Sequence, residues 1–300
     1  MSAVSGIALL GFGEVNQILA DDLSADGRST LSAWDTQFHA FDSVPSRALR
    51  GRNVRGARDA ADVVLGADLV ISAVTASQVA IAARSVVTGL SPGTWYLDLN
   101  SASPSQKKDA AQVIEAMDAR YVEAAVMSPI APKRSATTML LGGPHAEEFL
   151  PIAKSLGFAE TRFFSGEIGK AAAAKLCRSV MVKGMEALLG EALVSARRYG
   201  VEETVLASLD DLFPGPEWTK LAHYMISRSI QHGVRRAEEM HEAARTIQEA
   251  GLEPLMSLAC AKRQDWAAQF QSALSAKSLP ESLDAILAAM TADKTQRCSR

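Results

Sequence analysis

Cysteine is scarce in this 300-residue chain, which has only three, and their placement excludes two kinds of small scaffold. Cys177, Cys260 and Cys298 lie far apart, whereas disulfide-rich domains and zinc modules need paired, closely spaced cysteines. The five histidines also lack the spacing of metal ligands. His241-Glu242 begins like a helical zinc-protease motif, but Arg245 stands where the second histidine is needed. We therefore expect free thiols and no bound metal.

The chain also lacks an excess of charge of one sign. Its formal net charge is -3, and it has no run of arginine and lysine interleaved with aromatic residues, the pattern typical of nucleic-acid binding. The amino terminus has no basic segment, and its first apolar stretch ends at Gly11. That stretch is too short for a signal peptide or a membrane span. The sequence predicts a cytoplasmic protein that binds neither nucleic acid nor a membrane.

Hydrophobic residues make up 48% of the chain and charged residues 22%, a balance typical of a globular protein large enough for two cores. Up to about residue 165, short apolar runs alternate with helix-like stretches, the pattern of βαβ units around a mainly parallel sheet. The predicted strands are 6–10, 31–34, 69–74, 94–99, 121–126, 137–142 and 160–164, and the predicted helices among them are 14–23, 77–88, 105–118 and 145–156.

After Gly169 the strand pattern disappears, and helix-forming residues with a period of 3.6 continue to the end of the chain. The alanine-rich start at Lys170 and the stop signal of Gly200 predict one long helix over 170–199. Further helices are predicted over 217–231, 233–250, 254–274 and 280–292. We therefore predict an α/β protein with a Rossmann-type, mainly parallel sheet domain over 1–165, followed by an all-α domain over 166–300.

The most informative motif is the glycine-containing turn that directly follows the apolar run 7–10. Gly11 allows a tight turn with positive φ, and Gly13 lets the backbone approach a pyrophosphate. The free amides of the next helix then face the phosphates. Asn16 stands where the usual fingerprint has a third glycine. The predicted dinucleotide-binding residues of this turn are Gly11, Phe12, Gly13, Glu14 and Val15.

Asp35 follows the second predicted strand, at about the distance where the fingerprint places an acidic residue. A carboxylate there accepts hydrogen bonds from the adenosine ribose and repels a 2′-phosphate, which predicts NAD rather than NADP. Three nearby arginines, Arg47, Arg50 and Arg52, weaken that preference. The alternative interpretation is that Asp35 is a turn or cap aspartate.

Three other strand ends carry small or polar side chains, and ligands of such sheets bind at the carboxyl ends of strands. The segment after the strand at 69–74 predicts cofactor contacts at Ala73, Val74 and Thr75. The segment 98–104 carries Asn100 and Ser101, which we also expect at the cofactor. The third segment is 123–129.

These segments resemble the β-hydroxyacid dehydrogenase superfamily, which includes 6-phosphogluconate and 3-hydroxyisobutyrate dehydrogenases. Asp98, Asn100, Ser101 and Pro104 are similar to a family strand end that lies beside the nicotinamide. The substrate-binding stretch Asp-x-x-x-Ser-Gly-Gly is altered, because Glu123 replaces the aspartate, Met127 the serine, and Ser128 and Pro129 the glycine pair. The resemblance implies substrate contacts at Met127, Ser128 and Pro129, and a homodimer formed through the helical domain.

A second stretch of resemblance implies the catalytic group. Residues 166–171 are similar to the family's glycine-containing segment, and Lys175 falls on its catalytic lysine. Ser179 stands where the family usually has asparagine, and Lys183 follows two turns after Lys175 on the same helical face. The run 175–184 and the segment 232–240 resemble a poorly characterised phosphogluconate dehydrogenase-like branch, and His232, Arg235 and Arg236 are candidate substrate contacts.

The predicted function is NAD-dependent hydride transfer between nicotinamide and a secondary alcohol, a 3-hydroxy acid or a related hydroxy compound. Lys175 is the predicted general acid/base, assisted by Ser179 and Lys183. A lysine in this role needs its pKa lowered from about 10.4 toward roughly 7–8, and the helix amino terminus and the charge of Lys183 act in that direction. Two alternatives remain: an NAD-binding protein without catalysis, and an NADH-dependent imine reductase, although imine reductases usually replace the lysine.

Overall fold

The amino-terminal part of the chain forms a sheet whose central strands are largely apolar and buried. The computed structural model describes residues 4–25, 27 and 29–298, and the side chains as far as residue 292. Among the described residues the strands are β1 (Gly6–Leu10), β2 (Thr30–Trp34), β3 (Arg55–Gly56), β4 (Leu69–Ser72), β5 (Trp95–Asp98), β6 (Arg120–Val126), β7 (Met139–Gly142) and β8 (Thr161–Ser165). Strands β4 and β5 are buried at every position, as expected for parallel strands covered on both faces.

The strand order is β3-β2-β1-β4-β5-β6-β7-β8, and among the described strands the pair β6 and β7 is the only antiparallel one. The chain moves outward from β1 through β2 to β3 and then returns to the other side of β1 with β4. The order therefore reverses between β1 and β4, which is the position where ligands of doubly wound sheets bind. The predicted class of fold is confirmed, and β3 is a short strand that the sequence pattern did not indicate.

Helices cover both faces of this sheet. They are α1 (Glu14–Ser24), α2 (Val44–Leu49), α3 (Ala60–Val64), α4 (Val79–Ser85), α5 (Pro104–Glu115), α6 (Ile130–Lys133) and α7 (Ala146–Ser155). Alternate residues of β1 enter different cores: Ile7 and Leu9 belong to one buried cluster, whereas Ala8 and Leu10 belong to another. This period of two follows from the alternation of side chains along a strand.

The chain divides into two compact units, with the boundary after Leu176. That boundary falls inside α8 (Lys170–Tyr199), whose limits match the predicted helix 170–199. The following helices are α9 (Glu202–Leu212), α10 (Trp218–Glu249), α11 (Leu255–Ala267) and α12 (Leu279–Cys298). In the second unit the core contains Leu193, Ile226, Ile230 and Leu283. Across the described ranges, no helix combines the length and apolar character that crossing a membrane requires.

The prediction of separate helices over 217–231 and 233–250 is wrong, because α10 is continuous through Gly233. An ideal Cβ on Gly233 would lie 2.3 Å from the backbone oxygen of Gln264 in α11. This glycine therefore allows two helices to approach closely and does not end one. The helix α9 was not predicted, and the segment predicted as 254–274 is α11 followed by a short 3₁₀ turn over Gln271–Ser275.

Candidate functional site

The glycine turn after β1 has the backbone geometry that the sequence predicts. Gly11 has a φ of +81°, and an ideal Cβ there would lie 2.6 Å from the backbone oxygen of Ala73, at the end of β4. Gly13 is exposed and precedes α1 without a side-chain cap, and no heavy atom lies within 4 Å of its ideal Cβ position. The first amides of α1 thus adjoin open space, and a helix start of this kind binds anions.

Asn16 takes part in the same turn by a hydrogen-bond pattern that glycine could not provide. Its side chain is fully buried, and Nδ2 donates to the backbone oxygens of Leu10 at 3.2 Å, Gly11 at 2.6 Å and Ile71 at 3.3 Å. The amide therefore joins β1 and its turn to β4. The residue that stands in place of the third glycine thus attaches the turn closely to both strands.

Asp35 is half-buried at the end of β2 and binds the glycine turn. Its Oδ2 accepts a hydrogen bond from the Phe12 amide at 2.8 Å, and Oδ1 accepts one from the Gln37 amide at 2.9 Å. The second bond caps the 3₁₀ turn over Thr36–His39, so the cap role exists in the structure. Each carboxylate oxygen still has lone-pair capacity for a further donor. Asp35 can therefore both cap the turn and accept a ribose hydroxyl.

The three arginines near Asp35 have partners within the sheet unit. Arg52 Nε lies 2.7 Å from Asp21 Oδ1. Arg47 donates to the backbone oxygen of Asp42 at 2.6 Å. The guanidinium of Arg50 lies 4.2 Å from the ring centre of Phe41. Their charged groups are thus engaged with residues of the sheet unit.

These features fit a dinucleotide. The uncapped start of α1, the close approach of Gly11 to β4, and the reversal of strand order all lie at one edge of the sheet. Phe12 belongs to the glycine turn, Glu14 and Val15 begin α1 directly after it, and the segment 73–75 follows β4 at the same edge. The residues predicted to hold the cofactor are thus neighbours in the fold.

Asp98, the last residue of β5, is the centre of a buried polar network. Its Oδ1 lies 2.8 Å from Lys107 Nζ and accepts a hydrogen bond from the Asn100 amide at 2.9 Å. Its Oδ2 accepts the Tyr121 hydroxyl at 2.6 Å. Burial, followed by the charge of Asp98, raises the pKa of Tyr121 well above its usual value, so the phenol remains a donor. The sequence singled out Asp98 but not its partners Lys107 and Tyr121.

Asn100 connects this network to the neighbouring strand. Its Oδ1 accepts a hydrogen bond from the Val74 amide at 2.6 Å, and its Nδ2 donates to Ser72 Oγ at 3.1 Å. The side chain is almost fully buried. In the structure it therefore joins the end of β4 to the segment that follows β5. Ser101 is the next residue of that segment.

Lys175 contacts this segment directly. It lies in the second turn of α8, and its Nζ donates to Ser101 Oγ at 2.6 Å. Both side chains are half-buried. The pair joins a predicted catalytic residue to a predicted cofactor-binding residue at the carboxyl end of β5. An amine and a hydroxyl are thus hydrogen-bonded to each other at this edge of the sheet.

Glu123 supports the same helix. It is fully buried in β6, and its Oε2 and Oε1 accept hydrogen bonds of 2.5 Å from the amides of Gly169 and Ala172. Burial raises the pKa of Glu123, while Lys107 and the two amides act in the opposite direction. The sequence identified Glu123 only as a replacement for aspartate. The available signal was a carboxylate inside an otherwise apolar strand.

The predicted substrate segment follows β6. Met127 and Ser128 are half-buried and Pro129 is exposed. The Met127 amide donates to the backbone oxygen of Thr138 at 2.9 Å, which extends the pairing of β6 with β7. These residues lie at the same edge of the sheet as the ends of β4 and β5, because β6 is parallel to β5.

The remaining predicted residues belong to the helical unit, where Ser179 and Lys183 are brought together. Lys183 Nζ lies 2.8 Å from Glu239 Oε2 and donates to Ser179 Oγ at 3.2 Å. Arg236 forms an ion pair with the buried Glu186 of α8, which also accepts Gln264 Nε2 at 3.0 Å.

Two candidate cations, Lys183 and Arg236, are thus each already paired with a carboxylate from another helix. Arg235 is exposed on α10, and His232 is half-buried there.

Comparison with known proteins agrees with this geometry. The family model described as the NAD binding domain of 6-phosphogluconate dehydrogenase matches residues 6–158, which is more than half of the chain. The chain belongs to the 6-phosphogluconate dehydrogenase-like superfamily. A second model, a domain of unknown function called DUF1932, matches residues 196–267 of the helical unit. This superfamily is one of NAD-binding, hydroxyacid dehydrogenase-like proteins.

Three relatives illustrate the range of similarity. A crystal structure of a conserved hypothetical protein from Sinorhizobium meliloti 1021 is 35% identical with a TM-score of 0.74, covering 95% of this chain and 96% of that one. An uncharacterized 28.5 kDa protein of Methanothermus fervidus is 28% identical and covers 85% of this chain and 96% of its own. The mitochondrial 3-hydroxyisobutyrate dehydrogenase of Rattus norvegicus is 22% identical, over 73% of this chain and 65% of that enzyme.

Proposed function

We propose that the protein is an NAD-dependent dehydrogenase that acts on the secondary alcohol of a 3-hydroxy acid or a related hydroxy compound. The observation that carries this proposal is the 2.6 Å hydrogen bond from Lys175 Nζ to Ser101 Oγ at the carboxyl end of β5. This contact puts an amine at the sheet edge where the superfamily binds its cofactor. The similarity to a 3-hydroxyisobutyrate dehydrogenase supports the class of substrate.

Residues 11–15 and the start of α1 would hold the pyrophosphate, and Asp35 the adenosine ribose. The bound cofactor supplies a nicotinamide ring that accepts hydride. Asp35 favours NAD over NADP, because its carboxylate repels a 2′-phosphate. The nearby arginines support the same preference, since Arg52 is paired with Asp21, and Arg47 donates to a backbone oxygen.

Lys175 serves as general base in the oxidation. The unprotonated amine takes the hydroxyl proton of the substrate while the hydride leaves the same carbon, and the resulting ammonium returns that proton in the reverse direction. Ser101 orients the amine by accepting one of its hydrogens. Ser179 and Lys183 lie further along α8, and we propose that they assist in orienting the substrate.

We further propose that residues 1–165 bind the dinucleotide and that residues 166–300 complete the substrate site and form a homodimer. Met127, Ser128 and Pro129 would contact the substrate from the sheet unit, and His232, Arg235 and Arg236 from the helical unit. Lys183 and Arg236 each already have a carboxylate partner, which leaves the exposed Arg235 as the better candidate for an anionic group.

The test is a substrate screen with 3-hydroxy acids and other secondary alcohols, monitored by NADH absorbance. Replacing Lys175 by alanine should reduce kcat by about 10²–10⁴-fold, the usual contribution of a general acid/base, because the proton then has no acceptor. The affinity for NAD, measured by fluorescence quenching, should change little. The matched control is Lys170→Ala on the same helix, since Lys170 is exposed and pairs with Glu167.

Turnover that survives the Lys175 substitution would contradict the mechanism. Binding of NAD with no turnover on the whole panel would favour the alternative of a binding protein, for which Met127 and Pro129 in the altered segment argue. Reduction of cyclic imines by NADH, with no alcohol oxidised, would favour the imine reductase alternative.

A further inference from the structure

The first turn of α8 is held by a side chain that comes from the middle of the sheet. Both oxygens of Glu123 accept amides of this turn, from Gly169 and Ala172, at 2.5 Å. Gly142 makes room for the carboxylate, because an ideal Cβ there would lie 2.8 Å from Glu123 Oε2. Ala172 precedes Lys175 by three residues, so the two lie on the same face of the helix. A buried carboxylate is therefore bound one helical turn before the residue that carries the amine.

We propose that Glu123 is a positioning residue for Lys175, and that its carboxylate fixes the first turn of α8 and sets the pH at which the amine loses its proton. The proposal rests on the proposed function in naming Lys175 as the base. It differs from the sequence expectation, in which the unneutralised amino terminus of the helix favours the unprotonated amine. In the structure a negative charge is bound at that terminus.

The sign of the effect follows from the charges. Free amides at a helix start disfavour a nearby cation, and a bound carboxylate offsets them. The carboxylate also attracts the ammonium of Lys175 directly. Both contributions favour the protonated amine, so removing the charge should make the proton leave at lower pH. Burial raises the pKa of Glu123, but the charge of Lys107 and the amides of Gly169 and Ala172 favour the ionised carboxylate, which accepts a hydrogen bond at each oxygen.

Other charged and titratable groups of the same unit contribute to this field. From β5 and α5, Asp98 and Lys107 form an ion pair beside Glu123. Tyr121 of β6 and Tyr96 of β5 are fully buried, and burial raises the pKa of both, so they remain neutral in the range tested. At the start of α8, Lys170 and Glu167 form an exposed ion pair whose opposite charges largely cancel at a distance. Glu123 is thus the carboxylate bound at the turn itself.

The experiment measures the protonation of Lys175 without relying on turnover. The full chain is acetylated with trace acetic anhydride at a series of pH values, and the reaction of Lys175 is quantified by peptide mass spectrometry. In Glu123→Gln the midpoint for Lys175 should fall by about half a pH unit or more, which at a pH below both midpoints is about a threefold faster reaction. The exposed Lys154 in the same sample is the internal reference, and its midpoint should not move.

Two further variants separate charge from structure. Glu148→Gln removes an exposed glutamate that pairs with Arg120 in the same unit, and it should leave the Lys175 midpoint unchanged. Glu123→Asp keeps the charge on a shorter side chain and should give an intermediate midpoint. A looser helix alone would make Lys175 react faster at every pH without moving the midpoint. If Glu123→Gln does not fold, as judged by circular dichroism, Glu123→Asp carries the test with a smaller shift in the same direction.

An unchanged or raised midpoint in the folded Glu123 variants would overturn the proposal. Once a substrate is known, the acid limb of the kcat/KM profile should move with the labelling midpoint. If labelling shifts but no alcohol is oxidised, the proposed function fails while the electrostatic coupling of Glu123 to Lys175 stands. If Lys175→Ala abolishes turnover but the labelling midpoint of Lys175 is independent of Glu123, the proposed function stands and the electrostatic coupling of Glu123 to Lys175 fails.

Discussion

The ammonium of Lys107 lies 2.8 Å from a carboxylate oxygen of Asp98, and both side chains are almost completely removed from solvent. A charge in such surroundings is stable only while its partner is present. The pair also anchors β5, α5 and, through Tyr121, β6. The pair therefore has a structural role beside the candidate site, and the stability that it contributes can be measured by mutation.

Replacing Lys107 by methionine should destabilise the sheet unit by about 3–5 kcal/mol, because Asp98 becomes a buried charge without its cationic partner. Urea unfolding monitored by tryptophan fluorescence measures the loss. The matched control is Lys108→Met, one residue along the same helix and exposed, which should change stability by less than about 0.5 kcal/mol. Adding Asp98→Asn to Lys107→Met should recover part of the loss. Equal effects of the two single substitutions would contradict this account.

Asp35 should determine the choice of cofactor. In the wild type we expect NAD to bind more tightly than NADP, and Asp35→Asn should reduce that preference at least about tenfold, since each 1.4 kcal/mol of lost discrimination is a factor of ten. The asparagine retains an acceptor oxygen for the Phe12 or Gln37 amide, so the turn should survive. Titration calorimetry with both nucleotides measures the ratio. Asp42→Asn, at an exposed position nearby, is the control, and an unchanged ratio in Asp35→Asn would disprove the role.

Two glycines of the helical unit should respond to alanine in opposite directions. Gly233→Ala would place a Cβ 2.3 Å from the Gln264 backbone oxygen, so α10 and α11 must separate, at a cost of about 1–3 kcal/mol. Gly190 lies inside α8, and no heavy atom is within 4 Å of its ideal Cβ position. Gly190→Ala should therefore be neutral or stabilise by about 0.5–1 kcal/mol. Urea midpoints of both variants followed by circular dichroism test this, and similar losses in both would argue against it.

The two cysteines with described side chains should react very differently with iodoacetamide. Cys177 is exposed, whereas Cys260 is buried and donates to the Lys183 backbone oxygen at 3.0 Å. Burial, and then the charge of Glu186, raises the pKa of the Cys260 thiol to about 11, so at pH 8 it is protonated as well as covered. Peptide mapping at pH 8 should find Cys177 alkylated at least about tenfold faster, with the difference lost in urea. Cys298 lies outside the described side chains.

The raised pKa of Cys260 also makes the stability of the folded protein depend on pH in a predictable direction. The folded protein keeps a proton that the unfolded chain loses near the ordinary thiol value of 9.0. The folded state therefore binds more protons, and its stability falls as the pH rises from about 9 toward about 11. Cys260→Ser should reduce that dependence. An identical slope in the variant would assign the alkaline loss to other groups.

Much of the fold was predictable because its signals are local. The glycine turn after β1 and the helix over 170–199 depend on conformational preferences of a few adjacent residues, such as Gly11 and Gly200. The carboxyl ends of β4 and β5 could be predicted to meet because parallel strands end at the same edge. The contact between Lys175 and Ser101 agrees with the residue types that the superfamily resemblance selects.

What could not be predicted depends on partners distant in sequence. The continuity of α10 through Gly233 requires knowing that α11 packs against that position. The same holds for Glu186 and Glu239, which pair with Arg236 and Lys183 across the packing of helices in the second unit. Strand β3 has two residues and α3 five, lengths at which periodicity carries almost no information. Tertiary packing, not local preference, decides these features.

Asn16 has a consequence for the energetics of binding at the glycine turn. Its amide joins the turn to backbone oxygens on two strands, and these hydrogen bonds restrain the loop. A ligand that docks against a preorganised loop does not have to spend binding free energy on ordering it. Affinity at this turn then comes from the contacts themselves. Asn16→Gly would weaken ligand binding, because part of the binding free energy would be needed to order a more flexible loop.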